Sequence, residues 1–525
     1  MKNEFRESVW QRAVRGLCGP QRFALLRIGA LPVAALMIAS SSGLVTHAAA
    51  QSGTTFYVSV SGSDSNSGTI GSPWRTIQHA ANSVSAGATV DVRGGTYKES
   101  VNIAVSGNSS AGFIVFQSYP GESAIVDGTG LSCCSGGVKG LFNIVNQSYV
   151  IVSRFEIRNY SATSALSTPA GIWISGAGSN LEVLNNSVHN IVSKSEKNGN
   201  AFGISVYGTS ATPISALTIS GNQVYSNKTG NSETLDVDGN VQNFTISNNV
   251  VHDNDNIGID AIGFEGVGPS GHDQATNGQI VGNTIYNITS YGNPAYGNQY
   301  AANGIYCDGC SHVTIERNVV YRADLNIEVA SEHKGHTSSY VTVRNNLVYN
   351  GNSNGISIGG YSSGVGGTDH CTIVGNSLFD DDTKNTGSGE FQVQWYATNN
   401  VFKNNIVYAT AQGLLVNNYT KSESNPVDID YNLYYSSAGS NSQWIWEMKT
   451  YSGFSSYQSG TGKDAHSYFV DPQFLSTSTP DLHVQPTSTA VNNGINLGAS
   501  VDGTVDYAGN PRVQGSNIDI GAYEQ

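Results

Sequence analysis

Five carboxylates in the middle of the chain have the residue types and the spacing to do chemistry. They are Asp236, Asp238, Asp260, Asp308 and Glu328. Two carboxyl groups about 5 to 9.5 Å apart can hydrolyse a glycosidic bond, one as nucleophile or base and the other as acid. A cluster of carboxylate oxygens can instead hold Ca²⁺. Either chemistry requires a fold that brings these side chains onto one face.

A repeated asparagine motif indicates how the chain does this. In eight copies an asparagine is followed, after one residue, by an aliphatic residue and then by an aromatic residue or histidine, and a ninth copy has Tyr434 at the aliphatic position. The nine copies lie 27 to 36 residues apart. Spacing of this size is typical of a solenoid in which each repeat forms one coil. The nine asparagines are Asn186, Asn222, Asn249, Asn283, Asn318, Asn346, Asn376, Asn405 and Asn432.

Short alternating strands precede the asparagines, for example Val313, Thr314 and Ile315. In stacked coils the same turn residue lies about 4.8 Å from its copy, so the asparagine amides can bond one another. We therefore interpret the asparagines as structural. The predicted fold is all-β: a single-stranded right-handed parallel β-helix of about 10–12 coils with a short N-terminal capping helix.

A second strand in each coil carries the carboxylates. When the aliphatic residues of these strands are aligned as inward-pointing, alternation places the residues between them outward. One outward column then contains Ser205, Asp236, Asp260, Tyr306, Glu328, Ser357 and Gln392. The next outward column contains Tyr207, Asp238, Ile262, Asp308, Ala330, Gly359 and Gln394. This register predicts one acidic patch on one sheet face.

The N-terminal segment has the pattern of an export signal. A basic leader precedes an apolar run over residues 30–39, and Ala48, Ala49 and Ala50 form a small-residue cleavage site. We expect a signal peptide over 1–50, an N-terminal cap and first coil over 51–100, the β-helix with its acidic catalytic face over 101–435, and C-terminal coils and cap over 436–525. The mature protein is then secreted or periplasmic, without a membrane segment; the alternative is that the apolar run is retained as a membrane anchor.

Composition limits the partners. The formal net charge is −14, and removal of the basic leader makes it more negative, so the surface repels nucleic acid. We expect a monomer that binds a carbohydrate polymer or oligosaccharide. Cys307 and Cys310 are expected to form a disulfide or to remain buried thiols rather than to bind metal. The run Asp380, Asp381 and Asp382 could hold a cation, but it is interpreted as a solvated turn.

Both ends of the chain resemble a known superfamily. The motifs Tyr57-Val58-Ser59, Pro73-Trp74 and Gly94-Gly95-Thr96-Tyr97, with the endings DYAGNPR at 506–512 and DIGAYE at 519–524, are similar to those of secreted β-helix proteins of the pectate-lyase-like superfamily. The resemblance implies a capping helix near residues 74–84 and a solenoid from about residue 88. This fold hosts lyases, hydrolases, epimerases and adhesins, so the reaction depends on the site.

The first functional hypothesis is a glycoside hydrolase. The segments at 304–308 (GIYCD) and 326–329 (NIEV) resemble the catalytic coils of the β-helical β-xylosidase family. This resemblance implies Asp308 as nucleophile and Glu328 as acid/base, and Asp260 is the third catalytic candidate on the same face. The hydrolase hypothesis requires no cofactor.

The second hypothesis is a calcium-dependent polysaccharide lyase. Asp236, Asp238 and Asp260 are hard oxygen ligands for Ca²⁺, and Lys334 or Arg344 is the candidate base. The segment at 328–334 is also similar to a Lys-containing segment of the alginate-lyase and chondroitinase-B family. A third hypothesis is a non-catalytic carbohydrate-binding β-helix.

Substrate contacts are expected around the acidic patch. The candidate residues are Tyr306, Glu332, His333, Tyr296 and Trp395. Tyr296 belongs to an insertion rich in Gly and Tyr, and loops of this kind can wall a groove. Aromatic faces such as those of Tyr296 and Trp395 can stack on sugar rings.

Overall fold

The computed structural model describes residues 53–195 and 197–525. The predicted signal peptide, residues 1–50, lies outside the described residues. Three sheets of thirteen strands each form the body of the described chain, and the chain visits sheet 1, sheet 3 and sheet 2 in turn in successive coils. Neighbouring strands pair in parallel, except that the last pair of sheet 2 is antiparallel. The prediction of a parallel β-helix is confirmed.

Sheet 1 contains Thr55–Val58, Thr89–Val92, Ile114–Ser118, Val150–Ser153, Gly178–Leu184, Ile214–Ser220, Val241–Ser247, Gln279–Val281, Thr314–Glu316, Thr342–Arg344, Thr372–Val374, Asn400–Lys403 and Val427–Asp430. Sheet 2 contains Val101–Ile103, Gly137–Val145, Ser167–Ser175, Phe202–Gly208, Leu235–Gly239, Ile259–Ile262, Asn303–Asp308, Leu325–Ala330, Asn354–Ile358, Phe391–Val393, Leu414–Asn418, Gln443–Trp446 and Lys449–Ser452.

Sheet 3 contains Gly95–Tyr97, Ala124–Asp127, Glu156–Ala162, Ser187–Ser193, Gln223–Tyr225, Val250–Asn254, Thr284–Ile288, Val319–Ala323, Leu347–Tyr349, Ser377–Phe379, Ile406–Ala409, Leu433–Ser436 and Tyr468–Phe469. Two small sheets contain Thr337–Ser339, Gly367–Asp369 and Ala397–Thr398, and Phe474–Ser476 and Asp481–Val484. The helical segments are Ile77–Ser83, Gly439–Asn441, Phe454–Thr461 and Ala499–Asp502.

The helix Ile77–Ser83 is the predicted cap. The Thr76 side chain accepts a hydrogen bond from the His79 N–H and so caps the helix N-terminus. Ile77, Ala80 and Ala81 are buried and join the hydrophobic core that runs through the coils. No helix among residues 53–195 and 197–525 is long and apolar enough to cross a membrane.

Asparagine amides form a continuous buried ladder between sheets 1 and 3. The Asn318 N–H and Nδ2 both donate to Asn346 Oδ1, at 2.9 and 3.0 Å, and Nδ2 also donates to the Ile280 carbonyl at 2.9 Å. Asn318 Oδ1 in turn accepts from the N–H and Nδ2 of Asn283. Since these bonds hold successive turns together, the structural interpretation of the asparagines is confirmed.

Replacing Asn318 by Ala should destabilise the fold by about 2–4 kcal/mol, because two donors of Asn283 and the Ile280 carbonyl lose buried partners at once. Urea unfolding followed by circular dichroism measures the loss. The matched control is Asn425→Ala, since within the described part of the chain the Asn425 side chain donates to Asn399 alone, at the surface. Equal stability of the two variants would contradict the claim that the buried asparagine ladder stabilises the fold.

The chain end packs back along the coils instead of continuing them. Asn345 Nδ2 donates to the Asp502 and Val505 carbonyls, and Asn404 Nδ2 donates to the Ile495 carbonyl at 2.8 Å. Within this segment the buried side chains of Arg512 and Glu524 form an ion pair at 3.2 Å. The two C-terminal motifs that carried the family resemblance therefore hold the segment together.

The aspartate run at 380–382 is not a solvated turn, so that interpretation was wrong. Asp381 and Asp382 are buried. Asp381 Oδ1 accepts from Asn326 Nδ2 at 2.7 Å, and the Asp381 N–H donates to Glu390. Burial raises the pKa of Asp381 to about 8, and burial together with Asp381 raises the pKa of the Glu390 carboxyl well above its usual value. The Asp381–Glu390 pair therefore retains a proton at neutral pH.

This pair predicts a pH-dependent stability. Between the ordinary aspartate pKa and about 8, the folded state binds more protons than the unfolded state, so stability falls as pH rises through that interval. Asp381→Asn should flatten the dependence and stabilise the protein at pH above 8 by about 2 kcal/mol, since Glu390 shares the titration. Melting temperatures across pH test this. The exposed Asp428, paired with Lys403 at 2.7 Å, supplies the control Asp428→Asn, which should leave the pH profile of the wild type intact.

Candidate acidic site

The outward face of sheet 2 carries the predicted acidic patch. Asp236 pairs with Asp260, Asp260 with Tyr306, and Tyr306 with Glu328 on successive strands. Ser205 precedes Asp236 in the same column, and its Oγ donates to Asp236 Oδ2 at 2.9 Å. The column derived from alternation is thus the observed one.

Asp238 and Asp308 belong to the second column. Asp238 pairs with Ile262, and Asp308 pairs with Ala330. Asp308 and Glu328 therefore lie on adjacent coils and are staggered by two residues along the strands. The second column is interrupted at Ile262, which forms an antiparallel bridge with Gly309.

Two further acids join the patch that sequence reasoning missed. Glu233 is the charged group that most raises the pKa of both Asp236 and Asp260, and Glu265 has the same effect on Asp238. Both residues lie outside the strands, where alternation gives no direction. The proximity of Glu233 to Asp236 in sequence was the one available signal.

Three of the aspartates are buried with incomplete hydrogen bonding. Asp236, Asp238 and Asp260 are 0%, 1% and 2% exposed, and within the described residues one oxygen of each has no hydrogen-bond partner. Burial, and after it the neighbouring carboxylates, raises the pKa of all three well above the usual value. Such groups require either protons or a cation. Their hard oxygens fit Ca²⁺, as the sequence suggested.

Glu328 is the best-positioned proton carrier in the patch. Asn303 Nδ2 donates to its Oε2 at 2.5 Å, and Gln394 Nε2 donates to its Oε1 at 3.2 Å. Burial raises the pKa of Glu328 to about 7, although these hydrogen bonds oppose the shift. A carboxyl that is half protonated near neutrality suits general acid/base chemistry. Register placed Gln394 on this face but did not show its bond to Glu328, and it did not identify Asn303.

Asp308 lies beside a histidine and a glutamate. Its Oδ1 accepts from the Glu332 N–H at 2.6 Å, a bond that stabilises a carboxylate. His333 Nε2 lies 3.2 Å from Glu265 Oε1, and the proximity of Glu265 raises the pKa of His333. Ligand atoms of Glu265, Asp308 and His333 all lie within 4.8 Å of one another. This trio could hold a metal that accepts imidazole, or it could place an imidazolium beside Asp308.

The predicted substrate-contacting residues divide into two groups. Tyr306 is buried between Asp260 and Glu328 and packs against Ile257 and Ala330, while Glu332 and His333 lie at the edge of the patch. Tyr296 and Trp395 have structural contacts: Tyr296 Oη accepts from Asn256 Nδ2 at 3.3 Å, and the backbone of Trp395 exchanges two hydrogen bonds with Gly360.

The two candidate bases of the lyase hypothesis lie in different places. Lys334 is exposed in the loop next to His333. Arg344 is on sheet 1, where its Nε donates to Glu316 Oε2 at 2.6 Å, so its placement at the acidic face was wrong. Among the described residues, no Lys or Arg is a leading influence on the pKa of Asp236, Asp238, Asp260 or Glu328.

A disulfide joins Cys307 and Cys310. Of the two expected states of these cysteines, the bonded one is observed. Cys307 points into the core next to Asp308, and the intervening Gly309 adopts a positive φ of 74°. The bridge therefore restrains the turn that directly follows Asp308.

Fold and site together define a parallel β-helix protein with a buried carboxylate cluster on one sheet. The sequence matches the model of the family described as "Protein of unknown function (DUF1565)" over residues 60–312. It is 37% identical over 440 residues to the Bacillus subtilis (strain 168) protein named "Uncharacterized protein YwoF", covering 84% of this chain and 92% of YwoF. The chain belongs to the same protein family as YwoF.

Other similarities are shorter or confined to structure. Pectate lyase PEL9 of Emericella nidulans is 32% identical over 126 residues, which cover 24% of this chain and 30% of PEL9. The crystal structure of pectate lyase Pel9A has a TM-score of 0.49 at 14% identity, covering 90% of this chain and 96% of Pel9A. The complex of XylC with xylose has a TM-score of 0.49 at 13% identity, covering 89% and 98%.

Proposed function

We propose that this protein is a secreted carbohydrate-active enzyme that cleaves glycosidic bonds as a glycoside hydrolase. The observation that carries the proposal is the position of Glu328, a buried carboxyl whose two oxygens accept from Asn303 and Gln394. Burial raises its pKa to about 7. It lies on the coil adjacent to Asp308, on a sheet face that carries other acids. A proton donor beside a second carboxylate is the arrangement that glycoside hydrolysis uses.

The residues have distinct roles in this proposal. Glu328 protonates the leaving-group oxygen, while Asn303 and Gln394 orient its two oxygens. Asp308 acts as nucleophile or as base toward water, and the Glu332 N–H and the nearby His333 stabilise its charge. Asp260, whose pKa is raised by burial and by Glu233, stays protonated in the absence of a cation and contacts the sugar.

A specific observation also supports a second candidate, a cation-dependent polysaccharide lyase. Asp236, Asp238 and Asp260 each present one buried oxygen that lacks a hydrogen-bond partner among the described residues, and such oxygens suit Ca²⁺. The 126-residue similarity to a protein named pectate lyase supports the same class. In that reaction the cation neutralises a substrate carboxylate. Lys334 at the rim is the remaining basic candidate.

One experiment separates the two candidates. The mature protein is incubated with neutral and uronate polysaccharides, with and without a chelator, while reducing ends and the ultraviolet absorbance of unsaturated products are followed in parallel. A hydrolase releases reducing ends without that absorbance. Chelator-sensitive absorbance on a uronate polymer would overturn the hydrolase in favour of the lyase, and binding without either product would leave a carbohydrate-binding protein.

A further inference from the structure

Three buried amides extend from Glu328 toward the C-terminal coils. Asn354, Gln394 and Asn417 belong to the next three coils of sheet 2 and are 0%, 3% and 3% exposed. We call them the amide row. Asn417 lies three strands beyond Glu328, which is about 14 Å along the stack of coils.

The NH₂ group of each amide is already bonded to an acceptor. Asn354 Nδ2 donates to Gln392 Oε1 at 3.3 Å, and Asn417 Nδ2 donates to the Gly387 carbonyl at 2.8 Å. Gln394 Nε2 donates to Gln392 Oε1 and to Glu328 Oε1. A flipped Asn417 or Gln394 would turn its oxygen toward a carbonyl or a carboxyl oxygen, so the acceptors determine the orientation.

The carbonyl oxygens of the three amides consequently have no hydrogen-bond donor among the described residues. Asn354 Oδ1, Gln394 Oε1 and Asn417 Oδ1 are buried, and none has a hydrogen-bond partner within the described residues. Buried acceptors are normally satisfied by protein, water or ligand. A ligand that satisfies all three must bring hydrogen-bond donors.

Charge selects among the ligands. The row begins at Glu328, and the neighbouring coils carry Asp260 and Asp308, so a carboxylate on the ligand would face acceptors and acids. Sugar hydroxyls instead donate to amide oxygens without a charge penalty. We propose that the amide row is a binding subsite for an uncharged, hydroxyl-rich sugar. The proposal rests on the proposed function only in placing the scissile bond at Glu328.

The test is binding to a protein that does not turn over its ligand. Glu328→Gln protein is titrated calorimetrically with neutral tetrasaccharides of several sugars and with oligouronates of equal length. A neutral oligosaccharide should bind, and oligouronates should not. Adding Asn417→Ala should weaken the neutral ligand about threefold to tenfold, as expected for one lost hydrogen bond. The matched control Asn425→Ala, at an exposed asparagine, should bind like its parent.

Several outcomes would overturn the subsite. Tighter binding of oligouronates than of every neutral oligosaccharide is one, and unchanged affinity of Asn417→Ala is another. If Asn417→Ala unfolds early, Asn354→Ala supplies the same measurement nearer to Glu328. If a neutral oligosaccharide binds in a way that depends on Asn417, but the wild type releases no reducing ends, the hydrolase proposal is refuted and the subsite proposal stands. If the wild type releases reducing ends from neutral substrates, but Asn417→Ala leaves the binding affinity unchanged, the subsite proposal is refuted and the hydrolase proposal stands.

Discussion

Glu328→Gln should reduce kcat by about 10²–10⁴-fold, the usual contribution of a positioned general acid. Gln preserves the size of the side chain, but its single amide oxygen can accept from only one of Asn303 and Gln394, which bond different oxygens of Glu328. It also carries no proton for the leaving group. The reduction in kcat should be much smaller on glycosides with strongly activated leaving groups, because the departure of such a group needs little protonation. Steady-state rates on both kinds of substrate measure the difference.

The same prediction has a pH signature. A general acid works in its protonated form, so wild-type kcat should fall as pH rises through the Glu328 pKa of about 7. Glu328→Gln should lack this limb. The control is Glu316→Gln on sheet 1, where Glu316 pairs with Arg344 away from the acidic face, and its pH profile should match the wild type. Equal losses on activated and unactivated substrates would refute Glu328 as the acid.

Calcium should stabilise the wild-type protein. Asp260→Asn should be more stable than wild type without a cation and less stable than wild type with Ca²⁺. Without a cation, three buried carboxyls with raised pKa values destabilise the fold increasingly as pH rises, since the unfolded chain releases their protons more easily. Asp260→Asn removes one of them and should melt above wild type at neutral pH. With Ca²⁺ at about 100 times its Kd, wild type should gain about 2.7 kcal/mol and melt above the variant.

The change in relative stability of wild type and Asp260→Asn is measured by melting temperatures in chelator and in Ca²⁺, with Mg²⁺ and Mn²⁺ as comparison ions. The control Asp428→Asn lies in an exposed ion pair, so it should follow wild type in both conditions. A wild-type protein that no divalent ion stabilises would show that protons alone satisfy the aspartates. A calcium effect that survives Asp260→Asn would place the ion elsewhere, for example at Glu265, Asp308 and His333.

The cation result also bears on the reaction. A protein that binds Ca²⁺ but turns over neutral substrates equally well in chelator uses the ion for stability only. Turnover of uronate polymers that requires the ion supports the lyase instead. The Glu328 and cation predictions are thus independent tests, one of proton transfer and one of charge neutralisation.

Much of the site geometry followed from periodicity. The asparagine repeat marked one turn of every coil, and two-residue alternation placed Asp236, Asp260, Tyr306 and Glu328 in one column, as observed. These inferences succeeded because a strand in a stack has a regular direction and each side chain has one of two faces.

Periodicity failed wherever the chain leaves that regular path. Glu233 and Glu265 come from segments outside the strands, and the charge they add at the aspartates depends on how those segments fold over the sheet. Arg344 was named as a candidate base, although it lies on sheet 1 and bonds Glu316. Asp381 was taken as solvated, although its coil turns it inward against Glu390.

The sequence by itself determined the coil, its turn and the strand positions that share the acidic face, because these depend on local repeats. Only the tertiary structure decided which acids keep their protons and which polar atoms lack partners. Both properties depend on burial and on neighbours from other coils: Asn303 and Gln394 reach Glu328 from different strands, and the free oxygens of the amide row are defined by bonds across the stack.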